Sequence, residues 1–246
     1  MIPKTIHYIW LGGAPLPELV EKCIASWQKL CPDYEIKKWD ESNLNLDLYP
    51  YVRQAYDAKK YAFASDVLRY QIIWENGGIY LDVDVELIKP LDEILANELF
   101  MGFESKEYIN PGLIIGAEPK NAHIEKLLAM YENENFVLAN GQQNLTTICA
   151  RTTEYLTKLG LKPDNGEIQK IDNITIYPTD YFCPLNYQKR KLKKTERTYA
   201  IHWYLGSWVR PSTFFGSICY KIKQIIKTII GKENARKLKT KFEKHK

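Results

Sequence analysis

The feature that most constrains this chain is the run from Tyr61 to Leu87, YAFASDVLRYQIIWENGGIYLDVDVEL. Ala62, Phe63, Ala64, Val67, Leu68, Ile72, Ile73 and Trp74 place apolar side chains around nearly every face of a helix over Tyr61–Asn76, the pattern of a buried helix. Gly77–Gly78 stop it, as glycines commonly stop helices. The chain then passes at once into an apolar run, Ile79–Leu87, that reads as a strand ended by Pro90. A buried helix that feeds directly into a buried strand must pack on the sheet it enters, so the run predicts a layered α/β domain.

The amino-terminal part agrees. Thr5–Leu11 reads as a strand closed by Gly12–Gly13, Pro17–Leu30 as a helix and Tyr34–Trp39 as a second strand. This order predicts a Rossmann-like, mixed and mostly parallel sheet flanked by helices, with its ligand site at the carboxyl ends of the strands. Further strands are expected at Leu99–Glu104, Gly112–Ala117, Ile174–Tyr177 and Tyr199–His202, and helices at His123–Tyr131 and Leu145–Leu159. Lys189–Arg197 (KRKLKKTER) reads as a basic loop.

Two carboxylates interrupt the apolar strand. On a regular strand Tyr80, Asp82, Asp84 and Glu86 would share one face, and Ile79, Leu81, Val83, Val85 and Leu87 the other. Neighbouring carboxylates repel, so the acidic face calls for a positive partner. A divalent cation such as Mn²⁺ or Mg²⁺ takes oxygen ligands and shares them with phosphate. Asp66 and Arg69, three apart on the buried helix, likewise need partners, and a polar ligand can supply them.

These residues carry a resemblance. The run from Ala64 through Ser65, Asp66, Arg69, Tyr70, Gly77, Gly78, Tyr80, Asp82 and Asp84 resembles the DXD sugar-binding region of family 32 glycosyltransferases. Ile2–Gly13 (IPKTIHYIWLGG) is similar to that family's first strand, and Tyr199–Trp208 (YAIHWYLGSW) to its closing segment. The resemblance implies a GT-A fold that binds a nucleotide sugar, UDP-hexose favoured, and a divalent metal. It implies Asp84 and His202 as metal ligands and Asp82 on the ribose or sugar. Asp66 and Arg69 would hold the donor sugar and diphosphate, with Tyr80 beside them. Trp10 would line the nucleoside pocket, and Ser207 and Trp208 would meet the diphosphate. The reaction implied is hexosyl transfer with retention to a glycan or lipid-linked acceptor, of the kind used in bacterial capsular or lipooligosaccharide synthesis. Asn110–Ile114 is similar to the family's segment near the acceptor, whereas Asn140–Gln143 departs from its Gly-Pro pattern. Two other classes compete for the same residues: a phosphohydrolase or phosphotransferase with an aspartate nucleophile, and a non-catalytic nucleotide-sugar-binding module. Glu86 stands where the phosphotransferase pattern wants Thr or Val.

Charge divides the chain. Residues Gly216–Lys246 carry ten Lys/Arg and two Glu, while the whole chain is only +4. The body thus reads as a catalytic domain over 1–215, and 216–246 as a basic amphipathic helical tail with Ile218, Ile222, Ile225, Ile226, Ile229 and Ile230 on one stripe. Such a tail suits an anionic membrane surface better than nucleic acid, for which no motif is present. Five widely spaced cysteines and no C-x-x-C suggest neither a disulfide framework nor a zinc site. The expected location is cytoplasmic, peripheral on the inner face of the plasma membrane.

Overall fold

The computed structural model describes residues 1–187 and 191–205. Met1–Tyr204 form one compact unit. Strands are β1 (Thr5–Ile9), β2 (Glu35–Trp39), β3 (Gly78–Tyr80), β4 (Val85–Leu87), β5 (Leu99–Gly102), β6 (Ile115–Ala117), β7 (Gln169–Ile171), β8 (Ile174–Tyr177), β9 (Leu185–Asn186), β10 (Lys191–Leu192) and β11 (Ala200–His202). Helices are α1 (Glu18–Leu30), α2 (Pro50–Asp57), α3 (Tyr61–Asn76), α4 (Ala122–Ala129), α5 (Ile148–Lys158) and α6 (Thr179–Phe182).

The central sheet runs β2-β1-β3-β6-β5-β8-β7. It is mixed: β1 is parallel to β2 and β3, and β5 to β8, while β6 is antiparallel to both neighbours. A β-α-β opening can only return parallel, which explains the β1/β2 pair. Side chains alternate across the sheet. Ile6, Ile79, Leu81 and Phe100 pack on one face with Trp27 of α1. Ile9, Tyr80, Leu99 and Met101 pack on the other with α3.

The helix α3 runs as expected, and its residues from Ala64 to Ile73 are largely buried. It ends because Gly77 (φ 65°) and Gly78 (φ 91°) adopt left-handed backbone. A β-carbon at Gly78 would lie 2.8 Å from the Thr5 carbonyl and 2.9 Å from His7 Nε2, so only glycine lets α3 turn onto β1. One expectation is corrected here. Ile79–Leu87 is not one strand: it breaks into β3 and β4, and Leu81–Asp84 lie between them. The Val85 N–H bonds the Asp82 carbonyl (3.0 Å), closing a turn, and β4 pairs antiparallel with β11 in a separate two-stranded ladder. The expected basic loop also contains structure, since Lys191–Leu192 pair with Leu185–Asn186.

His7 is buried in this frame. The Trp39 indole N–H donates to its Nδ1 (3.0 Å), so Nε2 carries the proton and donates to the Gly77 carbonyl (3.0 Å). Burial pushes its pKa down to about 4. The folded state therefore binds fewer protons than the unfolded one between pH 6.5 and 4. This stabilisation is complete above pH 6.5 and is lost as the pH falls toward 4. The stability advantage of wild type over His7→Gln is expected to shrink by about 3 kcal/mol between pH 7 and pH 4, measured by urea denaturation.

Candidate functional site

The break between β3 and β4 sits at the carboxyl end of the parallel β1/β3 pair, where ligand sites form in such sheets. Residues two positions apart on a strand, as Asp82 and Asp84 would be, stand about 7 Å apart along it. The turn instead folds Asp82 and Asp84 toward each other, and β11 delivers His202 opposite Val85. One ligand atom from each of Asp82, Asp84 and His202 lies within 4.8 Å of the others. The two aspartates therefore converge as the sequence suggested, but through a turn and not through a shared strand face.

The backbone of this turn is pinned on several sides. Asp82 N–H donates to the Gly112 carbonyl (2.8 Å), Trp203 N–H to the Asp84 carbonyl (2.9 Å) and the Trp27 indole to the Val85 carbonyl (2.7 Å). Glu86, expected on the acidic face with the two aspartates, accepts the Trp203 indole N–H (2.8 Å) and serves to fix β11.

Beside the turn lies a charged group from α3. Arg69 is 4% exposed. Its Nη2 reaches Asp66 (3.1 Å) and Asp82 (3.3 Å), and its guanidinium stands 4.9 Å from the centre of the Tyr80 ring. The Tyr80 hydroxyl donates to Asp82 Oδ1 (3.1 Å), and Arg69 donates to both the carbonyl and the Oγ of Ser65. Asp66 also accepts the Ile148 N–H at the start of α5. Burial nevertheless pushes its pKa up to about 7, opposed by Arg69 and reinforced by Asp82. A carboxylate so short of solvation is poised to accept hydroxyl hydrogen bonds.

The donor set fits a divalent cation. Two carboxylates and one imidazole suit Mn²⁺ or Mg²⁺. Burial works against a charge on His202, yet the neighbouring Asp84 outweighs it and holds the imidazole pKa well above its usual value. A bound cation would take the place of the proton that Asp84 stabilises on His202.

Trp10 follows β1 at the same carboxyl edge and donates its indole N–H to the Ala14 carbonyl (2.6 Å). Asp66, Arg69, Tyr80, Asp82, Asp84 and His202 are thus brought into one group, with Trp10 at the same end of the sheet. Ser207, Trp208 and the basic tail lie outside the described residues. Three residues were missed as site components. A β-carbon on Gly112 would stand 2.1 Å from Asp82 Oδ2 and 2.2 Å from Arg69 Nη1. Asn110 accepts the Gly112 and Leu113 N–H groups and donates to Glu104 (3.1 Å). Glu104 in turn stands 3.7 Å from His202 Nδ1. Asn110 and Gly112 lie in the segment read as acceptor-side, and the structure sets them directly against Asp82, Arg69 and Glu104.

Comparison with known proteins bears on the same residues. Residues 17–101 match the model of the glycosyltransferase sugar-binding region containing DXD motif. Inositol phosphoceramide mannosyltransferase 3 of Schizosaccharomyces pombe is 37% identical over 102 residues, 38% of this chain and 27% of that protein. An uncharacterized glycosyltransferase of Acanthamoeba polyphaga mimivirus is 26% identical over 239 residues, 92% of this chain and 91% of that one. The solved structure of PaToxG glycosyltransferase superposes with a TM-score of 0.48 at 21% identity, over 64% of this chain and 69% of that one. The matched region carries α3 and both aspartates of the turn, so this part of the chain is similar in sequence to the glycosyltransferase sugar-binding region containing a DXD motif, and the chain spans about a quarter of the length of the mannosyltransferase it matches.

Proposed function

We propose that the chain transfers a hexose, with divalent-metal dependence, from a nucleotide-sugar donor to a hydroxyl of a glycan or lipid-linked acceptor. The observation that carries this is the convergence of Asp82, Asp84 and His202 within 4.8 Å, beside the buried Asp66–Arg69 pair. Asp84 and His202, with Asp82 alongside, would hold the cation, which when bound supplies charge neutralisation to a leaving diphosphate. Arg69 and Tyr80 hold the Asp82 carboxylate in one orientation. Asp66, desolvated and held by Arg69, accepts sugar hydroxyls and so selects their arrangement. Trp10 offers an aromatic wall at the carboxyl end of β1. A UDP-hexose is the favoured donor, with a GDP-hexose as the other nucleotide sugar to test.

The test is a thermal-shift screen of UDP- and GDP-hexoses with and without Mn²⁺. A donor at 100 times its Kd adds about 2.7 kcal/mol, or about 5–10 °C for a chain this size. Asp84→Asn is expected to abolish the metal-dependent shift. Absence of a metal-dependent shift with every nucleotide sugar would overturn the proposed function.

A further inference from the structure

The hydrogen-bonding of His202 is incomplete, and the missing half points to Glu104. His202 is 6% exposed. Its Nε2 faces Asp84 Oδ1 (3.3 Å), while its Nδ1 is buried without a hydrogen-bond partner among the described residues. A buried polar nitrogen left unsatisfied is costly, and buried ring nitrogens are ordinarily paired. The facing carboxylate oxygen is Glu104 Oε1 at 3.7 Å, with the Cys183 thiol, a weak acceptor, also beside the ring, so a movement of about half an ångström makes the bond to the stronger of the two.

Glu104 is itself held for this task. Its Oε1 accepts from Asn110 Nδ2 (3.1 Å), and its backbone N–H is tied to the Tyr108 carbonyl (2.9 Å). Tyr204, at a left-handed φ of 53°, lays its ring 4.1 Å from the imidazole centre and directs its hydroxyl to Cys183 (3.0 Å). The imidazole is thus covered on one face, aimed at Asp84 through one nitrogen and open to one carboxylate at the other.

We propose that Glu104 is a positioning residue: it takes the Nδ1–H of His202 and so presents the Nε2 lone pair toward Asp82 and Asp84. This rests on the reading of those three residues as a cation site. The principle is general, since an imidazole ligand is oriented and made more basic by the acceptor at its other nitrogen. Asn110 extends the device. Its carbonyl oxygen holds Gly112 N–H, beneath Asp82 and Arg69, and its amide holds Glu104, so one side chain sets both ends of the site.

The experiment measures Mn²⁺ affinity of the full chain, without nucleotide, by electron paramagnetic resonance of the free ion. Glu104→Ala is expected to weaken Mn²⁺ by about 10- to 100-fold. Glu104→Gln, whose carbonyl oxygen still accepts Nδ1–H, is expected to recover most of that loss. Asn110→Ala, which releases Glu104 without touching it, is expected to weaken binding in the same direction and serves should the Glu104 variants not fold. With Mg²⁺ bound, ¹⁵N spectra are expected to show the Nδ1–H tautomer of His202 in wild type and a mixture in Glu104→Ala. Unchanged Mn²⁺ affinity in Glu104→Ala, or equal loss in the Gln and Ala variants, overturns the proposal while His202→Ala still weakens binding. Unchanged affinity in His202→Ala overturns the cation site itself.

Discussion

Gly112→Ala is expected to lower sugar transfer by about 100-fold while leaving the protein folded. The reason is geometric. The added methyl would occupy space 2.1 Å from the Asp82 carboxylate and 2.2 Å from the Arg69 guanidinium, where contact normally requires about 3.5 Å or more. Both groups must retreat by more than an ångström, and displacements of that size at a reacting centre cost about 10²-fold. The backbone itself is not strained by the change, because Gly112 is not among the glycines with positive φ. Overpacking of this kind costs about 1–3 kcal/mol. A steady-state assay alongside a thermal melt checks the prediction, and activity within threefold of wild type would refute it.

Arg69→Leu is expected to be the most destabilising single change in the site, by about 3–5 kcal/mol in urea denaturation. The guanidinium is the cation facing both Asp66 and Asp82, and Asp66 is already held short of solvent by burial. Removing Arg69 leaves that carboxylate with only the weaker pull of Arg151, and its pKa, already about 7, rises further. Adding Asp66→Asn removes the uncompensated charge, so the double variant is expected to regain a large part of the loss. Simple additivity of the two changes would show that the pair is not coupled.

The sequence made some of this site visible and hid the rest for identifiable reasons. The helix α3 was legible from end to end because its all-round apolar pattern and its Gly-Gly stop are both local signals. The helix α2 was not: at Pro50–Asp57 it is short and polar, and its anchors, buried Tyr51, Val52 and Ala55 with Gln54 bonded to Asn135, depend on distant partners. Alternation suggested one strand through Asp82 and Asp84, because apolar residues on the far side of a turn look the same as apolar residues on one face of a strand. What broke the strand is tertiary, the Gly112 carbonyl and the β11 partner, and neither lies near the aspartates in sequence. His202 entered through family resemblance alone, since a lone histidine carries no signal of its own. Glu104 was read merely as the end of a strand, and Gly112 as the start of one within the acceptor-side segment, because their part depends on which side chains stand against them.

The ladder between β4 and β11 also has a consequence in time. Glu86 accepts the indole N–H of Trp203, 117 residues later in the chain. At synthesis rates of about 5–20 residues per second, roughly 6 to 23 s pass between the two. For most of that interval, once residue 101 is made, the nascent chain holds both aspartates and the whole matched region, yet lacks the strand that brings the histidine and closes the turn from behind. The carboxylates are made early and the histidine that stands against them late, so the cluster is complete only once β11 has been synthesised.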